Sequence, residues 1–501
     1  MGEPFYITTA ISYPNGPPHI GHAYEAIAAD AIARFQRAQG RDVRFQTGTD
    51  EHGLKMAQAA RTEGVEPRAF ADKMSRLFQD MCDTLNVSYD RFIRTSQSDH
   101  YRASQAIWKA MEDNGDLYLD RYEGWYSVRD EAYYESEELT DAEDGSKLSP
   151  QGTPVEWTVE ESWFFRLSKY QQPLLDHYAA NPEFIRPESR RNEVVRFVEG
   201  GLKDLSISRT SFDWGVPVPG SNNHVMYVWL DALTNYITGL GYPDDTPLWR
   251  RYWPADVHLI GKDVVRFHAV YWPAFLMSAG IELPKQVYGH GFLLSRGEKM
   301  SKSVGNVVDP MVLASRFGVD ALRYFLLREV SFGQDGSYSA EAIVARANAE
   351  LANSFGNLAQ RTFSMIHKNL GGVLPASGQA AEDLQLLALV DRTAGEEVPE
   401  AFDRFAFSVG IEAWLRAVFA CNAYVDTQAP WALRKTDPER MAAVLGTLVA
   451  AVRELTRAIA PIIPESADKL LTLIDAGEGG APIPQPTPLF PRLELEEEEA
   501  A

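Results

Sequence analysis

Phe5-Tyr6-Ile7-Thr8-Thr9-Ala10 opens the chain as a short run rich in aromatic and β-branched residues, and it gives way to the turn-rich Ser12-Tyr13-Pro14-Asn15-Gly16-Pro17-Pro18. A helical pattern then runs to Gln39, with Ile27, Ile32 and Phe35 near one face, and Gly40 ends it. Val43 to Gln46 reads as the next strand. Strand, helix, strand in this order is a βαβ crossover, the unit from which parallel sheets are built, so the segment predicts an α/β fold.

Working outward, the texture changes between about Gly115 and Gly220 to aromatic and acidic clusters with short turns, such as Tyr122-Glu123-Gly124-Trp125-Tyr126 and Asp141-Ala142-Glu143-Asp144-Gly145. This stretch reads as an inserted domain. Strand and helix patterns resume with Val225-Met226-Tyr227-Val228-Trp229, with Val257-His258-Leu259-Ile260 and with Val287-Tyr288, so the insertion splits the sheet domain. Beyond Ala340 the pattern is helical: Ile343 to Leu370, Phe405 to Tyr424 and Met441 to Ile459, followed by a Pro-rich extended segment from Pro482 to Pro491. The expected organisation is 1–115 and 223–292 as the halves of the sheet domain, 116–222 as the insertion, 293–345 as a linking region and 346–501 as a helical domain.

A chain of 501 residues exceeds the roughly 250–300 at which one core stops growing, which agrees with several domains. No apolar run approaches the length of a membrane span, and a cytoplasmic protein is expected. Cys82 and Cys421 are the two cysteines, far apart in helix-like segments, and read as buried free thiols rather than a disulfide framework. With 48 basic and 70 acidic residues the net charge is −22, which repels a polyanion at long range and confines any nucleic-acid site to a local basic strip. The acidic run at Glu494 to Glu499 reads as a solvated tail.

His19-Ile20-Gly21-His22 follows a strand and a Pro-rich turn and opens a helix, where free backbone N–H groups and the helix dipole favour an anion such as phosphate. Histidines three apart share a face, and Gly21 lets a ligand approach the backbone closely. Alone, the pattern fits a structural pair or half a metal site equally well. The second cluster, Gly297-Glu298-Lys299-Met300-Ser301-Lys302-Ser303-Val304-Gly305-Asn306, is a polar loop with lysines three apart. Ammonium groups on a loop that closes over a triphosphate can neutralise charge on departing pyrophosphate, whereas a solvated basic turn has no such role.

Taken together and in this order, the two clusters resemble the paired active-site motifs of class I aminoacyl-tRNA synthetases, and they match verbatim at His19 to His22 and Lys299 to Ser303. Such a pair also occurs in small nucleotidylyltransferases, so the class rests on further residues. Ala10-Ile11-Ser12-Tyr13, Thr47-Gly48-Thr49-Asp50-Glu51-His52-Gly53, Tyr227-Val228-Trp229-Leu230-Asp231-Ala232 and Phe267-His268-Ala269-Val270-Tyr271-Trp272 are similar to the methionyl-tRNA synthetase family. That resemblance implies a Rossmann-like catalytic domain and a helical anticodon-binding domain. It implies that ATP with Mg²⁺, L-methionine and tRNA(Met) are the substrates.

In the same reading His19, Gly21, His22, Lys299, Ser301 and Lys302 hold ATP, with His19, His22, Lys299 and Lys302 acting in catalysis. Asp50 receives the substrate ammonium, and Ala10, Ile11, Tyr13, Trp229, Ala232, Leu233, Tyr236, His268 and Trp272 line the methionine pocket. A thioether calls for an apolar, polarizable wall with one hydrogen-bond donor, which these side chains can supply. Asn357, Arg361, Pro430 and Trp431 are similar to the family's anticodon-reading positions, where a tryptophan stacks on an unpaired base. As a core residue Trp431 would have no such role. One departure stands out: many members carry Cys-rich zinc knuckles in the insertion, whereas Ser127 and Asp130 keep the two-residue gap without thiolates. No zinc is expected, and a monomer is the expected state. Rival readings are a class I synthetase for leucine, valine, isoleucine or cysteine, and a synthetase-like tRNA binder without catalysis. The Asp50, Trp229 and His268 constellation opposes the first and the intact motifs oppose the second.

Overall fold

The computed structural model describes residues 2–130, 132–142, 144–295, 298–299 and 307–495. Two compact units emerge, one formed by residues 1–18, 39–83 and 88–290, the other by 19–38, 84–87 and 291–501.

The first unit is built on a parallel sheet. Its strands are β1 (Pro4–Thr9), β2 (Asp42–Thr49) and β3 (Arg91–Arg94). Next in the chain come β4 (Leu117–Ser127) and β5 (Glu156–Phe165), which belong to the insertion, and then β6 (Ile185–Arg186), β7 (Val257–Gly261) and β8 (Val287–His290). The sheet order is β3-β2-β1-β7-β8-β6 with every pairing parallel, Ile7 standing opposite both Phe45 and Val257. Such strands are apolar on both faces, and Tyr6, Ile7, Phe45, Leu259 and Ile260 are fully buried. In the insertion, β4 and β5 form a long antiparallel ribbon, Leu117 opposite Phe165 and Tyr126 opposite Glu156. Ala132–Tyr134 and Leu205–Ser206 extend it to four strands. One core of Trp108, Phe165, Tyr178, Leu230, Tyr236, Trp272 and Phe275 joins ribbon and sheet.

Val225 to Trp229 departs from its expected strand. Val225–Met226 is a two-residue strand, and a helix runs from Val228 to Thr238. The N–H groups of Leu230 and Asp231 both reach back to the Tyr227 carbonyl and start that helix. Nearly every residue of it is buried, the polar Asp231, Thr234, Asn235 and Thr238 included; their spacing of three and four is helical, but the apolar run Val225 to Leu230 that precedes them reads equally as a strand.

The second unit contains the helix Ile20–Ala38, a small sheet of Glu298–Lys299, Leu293–Ser295 and Gly336–Tyr338, and the helices of the C-terminal half. The principal ones are Pro310–Phe317, Val319–Glu329, Asn357–Asn369, Phe407–Gln428, Pro438–Ile459 and Pro464–Asp475. Helix Ile20–Ala38 packs against Leu293–Ser295 and Val319–Glu329. Its polar groups are satisfied within this unit: Val308 O accepts from Ile20 N–H at 3.0 Å, and Asp403 accepts from Gln36 at 3.2 Å. Fully buried Arg323 donates to Asp30 at 2.6 Å and to the carbonyls of Leu85, Pro461 and Ile462 at 3.0–3.1 Å. The segment after Pro482 crosses the bundle as an extended strap, with Ile483 N–H donating to Gly372 O and Asn348 bonding both backbone groups of Leu493. Cys82 and Cys421 are both buried, and burial pushes the Cys421 thiol up to about 12, which keeps it protonated and unreactive. Among the described residues no helix is long and apolar enough to cross a membrane.

Candidate active site

In the first unit, β1 and β7 lie side by side where the chain's path through the sheet reverses, and the crevice beyond the carboxyl ends of such strands is where open α/β sheets bind ligands. Ala10 continues β1 and donates to Leu259 O at 3.1 Å, Ile11 follows half-buried, and Asp50 follows β2 and is buried. Helix Val228–Thr238 presents Trp229, Ala232, Leu233 and Tyr236, and a π-helical turn at Phe267–Tyr271 carries His268 ahead of Trp272. Turns of that kind often mark functional sites, because the extra residue re-aims a side chain. Ala10, Tyr13 and Trp229 all pack against the core that contains Leu233, Tyr236 and Trp272, so these six of the residues singled out in the sequence share one cluster.

The polar atoms among them form two hydrogen-bonded chains, one through His268 and one through His258. Nδ1 of His268 lies 2.9 Å from Val264 O, and a carbonyl can only accept, so this nitrogen carries the proton. Nε2 of His268 therefore accepts from the Tyr236 hydroxyl at 2.6 Å. Tyr236 stacks on His258 at 4.0 Å between centroids; Trp272 donates to His258 Nε2 at 3.3 Å, which leaves His258 Nδ1–H to donate to Thr8 Oγ1 at 2.7 Å. Burial holds both imidazoles neutral: the His268 pKa is pushed down to about 4, and that of His258 well below its ordinary value. Trp229 lies flat on Phe267, with centroids 3.8 Å apart, and stands edge-on to His268. The wall so formed is aromatic and polarizable. Thr8 and His258 were not expected from sequence, a histidine inside the apolar run of β7 being the available signal, and Phe267 stood in a matched motif without being given a role of its own.

Asp50 sits at the head of a tightly held segment. Its N–H donates to Ser12 O at 2.8 Å, Glu51 N–H to Thr95 Oγ1 at 2.8 Å, and Gly53 N–H to Trp214 O at 3.1 Å. Glu51 O accepts from Trp214 Nε1 at 2.5 Å and His52 O from the Tyr13 hydroxyl at 2.8 Å. Arg94 grips the Glu51 carboxylate with two bonds of 2.7 and 3.0 Å. Fully buried Asp231 accepts from His52 Nδ1 and from His100 Nε2, each at 2.6 Å on a different oxygen. Burial alone would raise its pKa, but His52 and His100 outweigh that and lower it to about 2. His52 and Asp231 stand inside motifs matched in the sequence, but their pairing, and His100, were not read from it, for the partners lie 179 and 131 residues apart.

The second unit carries the histidine pair. His19 precedes helix Ile20–Ala38 and His22 lies in its first turn, their rings 3.9 Å apart and tilted by 36°. Gly21 N–H donates to His19 Nδ1 and His19 N–H to His22 Nδ1, both at 3.1 Å. A ring nitrogen that accepts bears no proton, so Nε2 is the N–H donor of each ring. A Cβ on Gly21 would stand 2.9 Å from His19 Cε1, which is why glycine is needed under the folded-back ring. Lys299 pairs through its backbone with Leu294. Its side chain, with Ser301 and Lys302, lies outside the described residues.

Farther along this unit, Trp431 is 49% exposed, and the Arg361 guanidinium lies 5.4 Å from its ring centroid while also bonding Asp426 at 3.4 Å. Trp431 is thus a surface residue, not a core one. Asn357 is exposed at the start of helix Asn357–Asn369, and Pro430 is buried.

In the insertion, Ser127 and Asp130 join a hydroxyl cluster. The Asp130 carboxylate accepts from Ser149 at 2.7 Å, from Tyr134 at 3.0 Å and from Thr153, while Ser127 bonds Thr153 at 2.8 Å. Among the described residues no group of three His, Cys, Asp or Glu stands together as a metal site.

Residues 5–363 match the family described as tRNA synthetases class I (M), which places the sheet unit and the histidine pair in that class of enzyme. Residues 374–486 match the anticodon binding domain of methionyl tRNA ligase. Among curated proteins the methionine–tRNA ligase of Brucella suis biovar 1 is 58% identical over 505 residues, covering 98% of each chain. That of Mycobacterium tuberculosis (strain CDC 1551 / Oshkosh) is 56% identical over 512 residues, again 98% of each. A solved structure of Mycobacterium tuberculosis methionyl-tRNA synthetase in complex with methionyl-adenylate superposes with a TM-score of 0.94 at 56% identity, covering 98% of this chain and 100% of that one. The apo form of the same enzyme gives 0.88. The chain belongs to the methionyl-tRNA synthetase family.

Proposed function

We infer that the chain activates L-methionine with ATP as an enzyme-bound methionyl adenylate and transfers the methionyl group to the 3′-terminal ribose of tRNA(Met). The observation that carries the substrate is the aromatic wall of Tyr236, His268, Trp272 and Trp229, whose one imidazole is neutral, so that the wall suits a thioether and offers no charge to a charged side chain. A methionine–tRNA ligase 58% identical over nearly its whole length supports the same reaction.

Activation is an in-line displacement. A carboxylate oxygen of methionine attacks the α-phosphorus of ATP, the bond from that phosphorus to the bridging oxygen breaks, and pyrophosphate leaves with the electron pair. Positioning and charge stabilisation suffice, with no covalent enzyme intermediate. Asp50 takes the ammonium; Ala10, Ile11, Tyr13, Trp229, Ala232, Leu233, Tyr236, His268 and Trp272 take the rest of the amino acid. The Nε2–H groups of His19 and His22 donate to phosphate oxygens, with Gly21 allowing close approach. Lys299, Ser301 and Lys302 complete the phosphate side, and ATP arrives as its Mg²⁺ complex. Asn357, Arg361, Pro430 and Trp431 read the anticodon.

The hydroxyl cluster at Asp130 supports an insertion that folds without zinc, since hard hydroxyl donors with one carboxylate make a poor structural zinc site. The domain limits proposed are 1–115 and 223–292 for the catalytic halves, 116–222 for the insertion, 293–345 for the link and 346–501 for the anticodon domain, in a monomer working in the cytoplasm. The test is ATP–pyrophosphate exchange on metal-analysed protein without added zinc. Exchange should depend on methionine, with leucine and cysteine near background. Equal exchange with leucine, or stoichiometric zinc in the active protein, would overturn the respective part.

A further inference from the structure

We propose that Asp231 is a positioning residue for amino-acid activation: acting through His52, it fixes the Asp50 segment against the helix that lines the side-chain pocket. The inference rests on the reading of Asp50 as the partner of the substrate ammonium. Asp231 lies on helix Val228–Thr238 between Trp229 and Ala232, so it shares that element with the pocket residues while pointing its carboxylate at His52 and His100. The backbone of residues 50–53 is tied to Ser12, Thr95, Tyr13 and Trp214, and the Glu51 side chain to Arg94. The His52 ring links this segment to the pocket helix, through a bond of 2.6 Å between two buried groups.

A buried carboxylate is costly, and a packed apolar residue of similar volume would serve stability as well or better. What an apolar residue would not do is hold two elements at one spacing by directional bonds. That spacing sets the distance between the group that binds the ammonium and the wall that receives the thioether. Both His100, which also reaches Thr238 at 3.1 Å, and Tyr101, whose hydroxyl lies 3.0 Å from His52 Nε2, restrain the bridge from the helix Ser98–Asp113. The bridge is therefore held from three directions, and its output is the position of Asp50.

The experiment measures methionine KM, ATP KM and kcat in pyrophosphate exchange for Asp231→Asn, Asp50→Asn and the double variant, with thermal unfolding of each. Asp231→Asn should raise the methionine KM roughly five- to thirtyfold, the reach of one strong hydrogen bond, while kcat and the ATP KM stay within about twofold. In the Asp50→Asn background the same change should add little, because the two act on one contact. Additive effects, an effect confined to ATP or kcat, or no effect would overturn the proposal. His52→Phe, which cuts the link while leaving Asp231 with His100, gives the same readout if Asp231→Asn does not fold. Should Asp50→Asn itself leave the methionine KM unmoved, the ammonium reading fails and the proposal falls with it; should it respond while Asp231→Asn and His52→Phe do not, the proposal alone fails.

Discussion

His268 shows at the scale of one residue how burial and hydrogen bonding select a protonation state. Its ring must be neutral to donate to Val264 O and accept from Tyr236 at once, and burial enforces that by lowering its pKa from 6.5 to about 4. Between those two values the unfolded chain binds a proton that the folded chain refuses, so stability rises with pH across that window. The cost sets in as pH falls below 6.5 and is complete below 4, where it amounts to about 3 kcal/mol for this residue. His268→Gln keeps an acceptor and a donor but does not titrate. Denaturant unfolding at pH 7 and pH 4 should find the variant losing about 3 kcal/mol less than the parent over that span; equal losses would show that His268 is not held neutral.

Helices present the second group of candidate residues. Helix Phe407–Gln428 ends at Ala429, which takes the left-handed conformation with φ 43°, and Pro430 then opens helix Pro430–Thr436. That abrupt turn brings Trp431 to the surface against Arg361. Trp431→Ala should therefore leave the melting temperature nearly unchanged while lowering kcat/KM for tRNA by roughly five- to a hundredfold, the worth of one base–aromatic stack. Methionine-dependent exchange should be spared; a fall in melting temperature with charging intact would remove Trp431 from recognition. This element also marks where sequence stops speaking. The strands β1, β2, β7 and β8 and the helical stretches Ile343 to Leu370, Phe405 to Tyr424 and Met441 to Ile459 were legible because apolar runs bounded by Gly and Pro leave a pattern, whereas helices Ala381–Arg392 and Pro464–Asp475 went unread. Helix Val228–Thr238 was masked by the apolar run Val225 to Leu230 at its start, and the pairing of His52 with Asp231 leaves no trace in local sequence at all.

At the scale of the whole molecule, the second unit is braced by Arg323. Its guanidinium satisfies Asp30 and the carbonyls of Leu85, Pro461 and Ile462 with no exposure to solvent. Arg323→Met should destabilise this unit by about 3 kcal/mol, since it leaves the buried carbonyls of Leu85, Pro461 and Ile462 without their donor and the Asp30 carboxylate with Arg34 alone, at 2.7 Å. Urea unfolding followed by a probe in the helical half checks this, and a loss under about 1 kcal/mol would show that the brace is dispensable. The brace also has a history written into chain order. Asp30 and Gln36 leave the ribosome early, whereas their partners Arg323 and Asp403 are made 293 and 367 residues later. The helix that carries His22, and follows directly on His19, pairs Asp30 with its own Arg34 but waits through most of translation for Arg323 and Asp403, while the sheet of the first unit has all its strands once His290 is made. A product of premature termination before Arg323 would carry the histidine pair in its sequence while the helix behind it lacked Arg323 on Asp30 and Asp403 on Gln36, so a broken message yields a fragment whose first helix has lost its late-made partners.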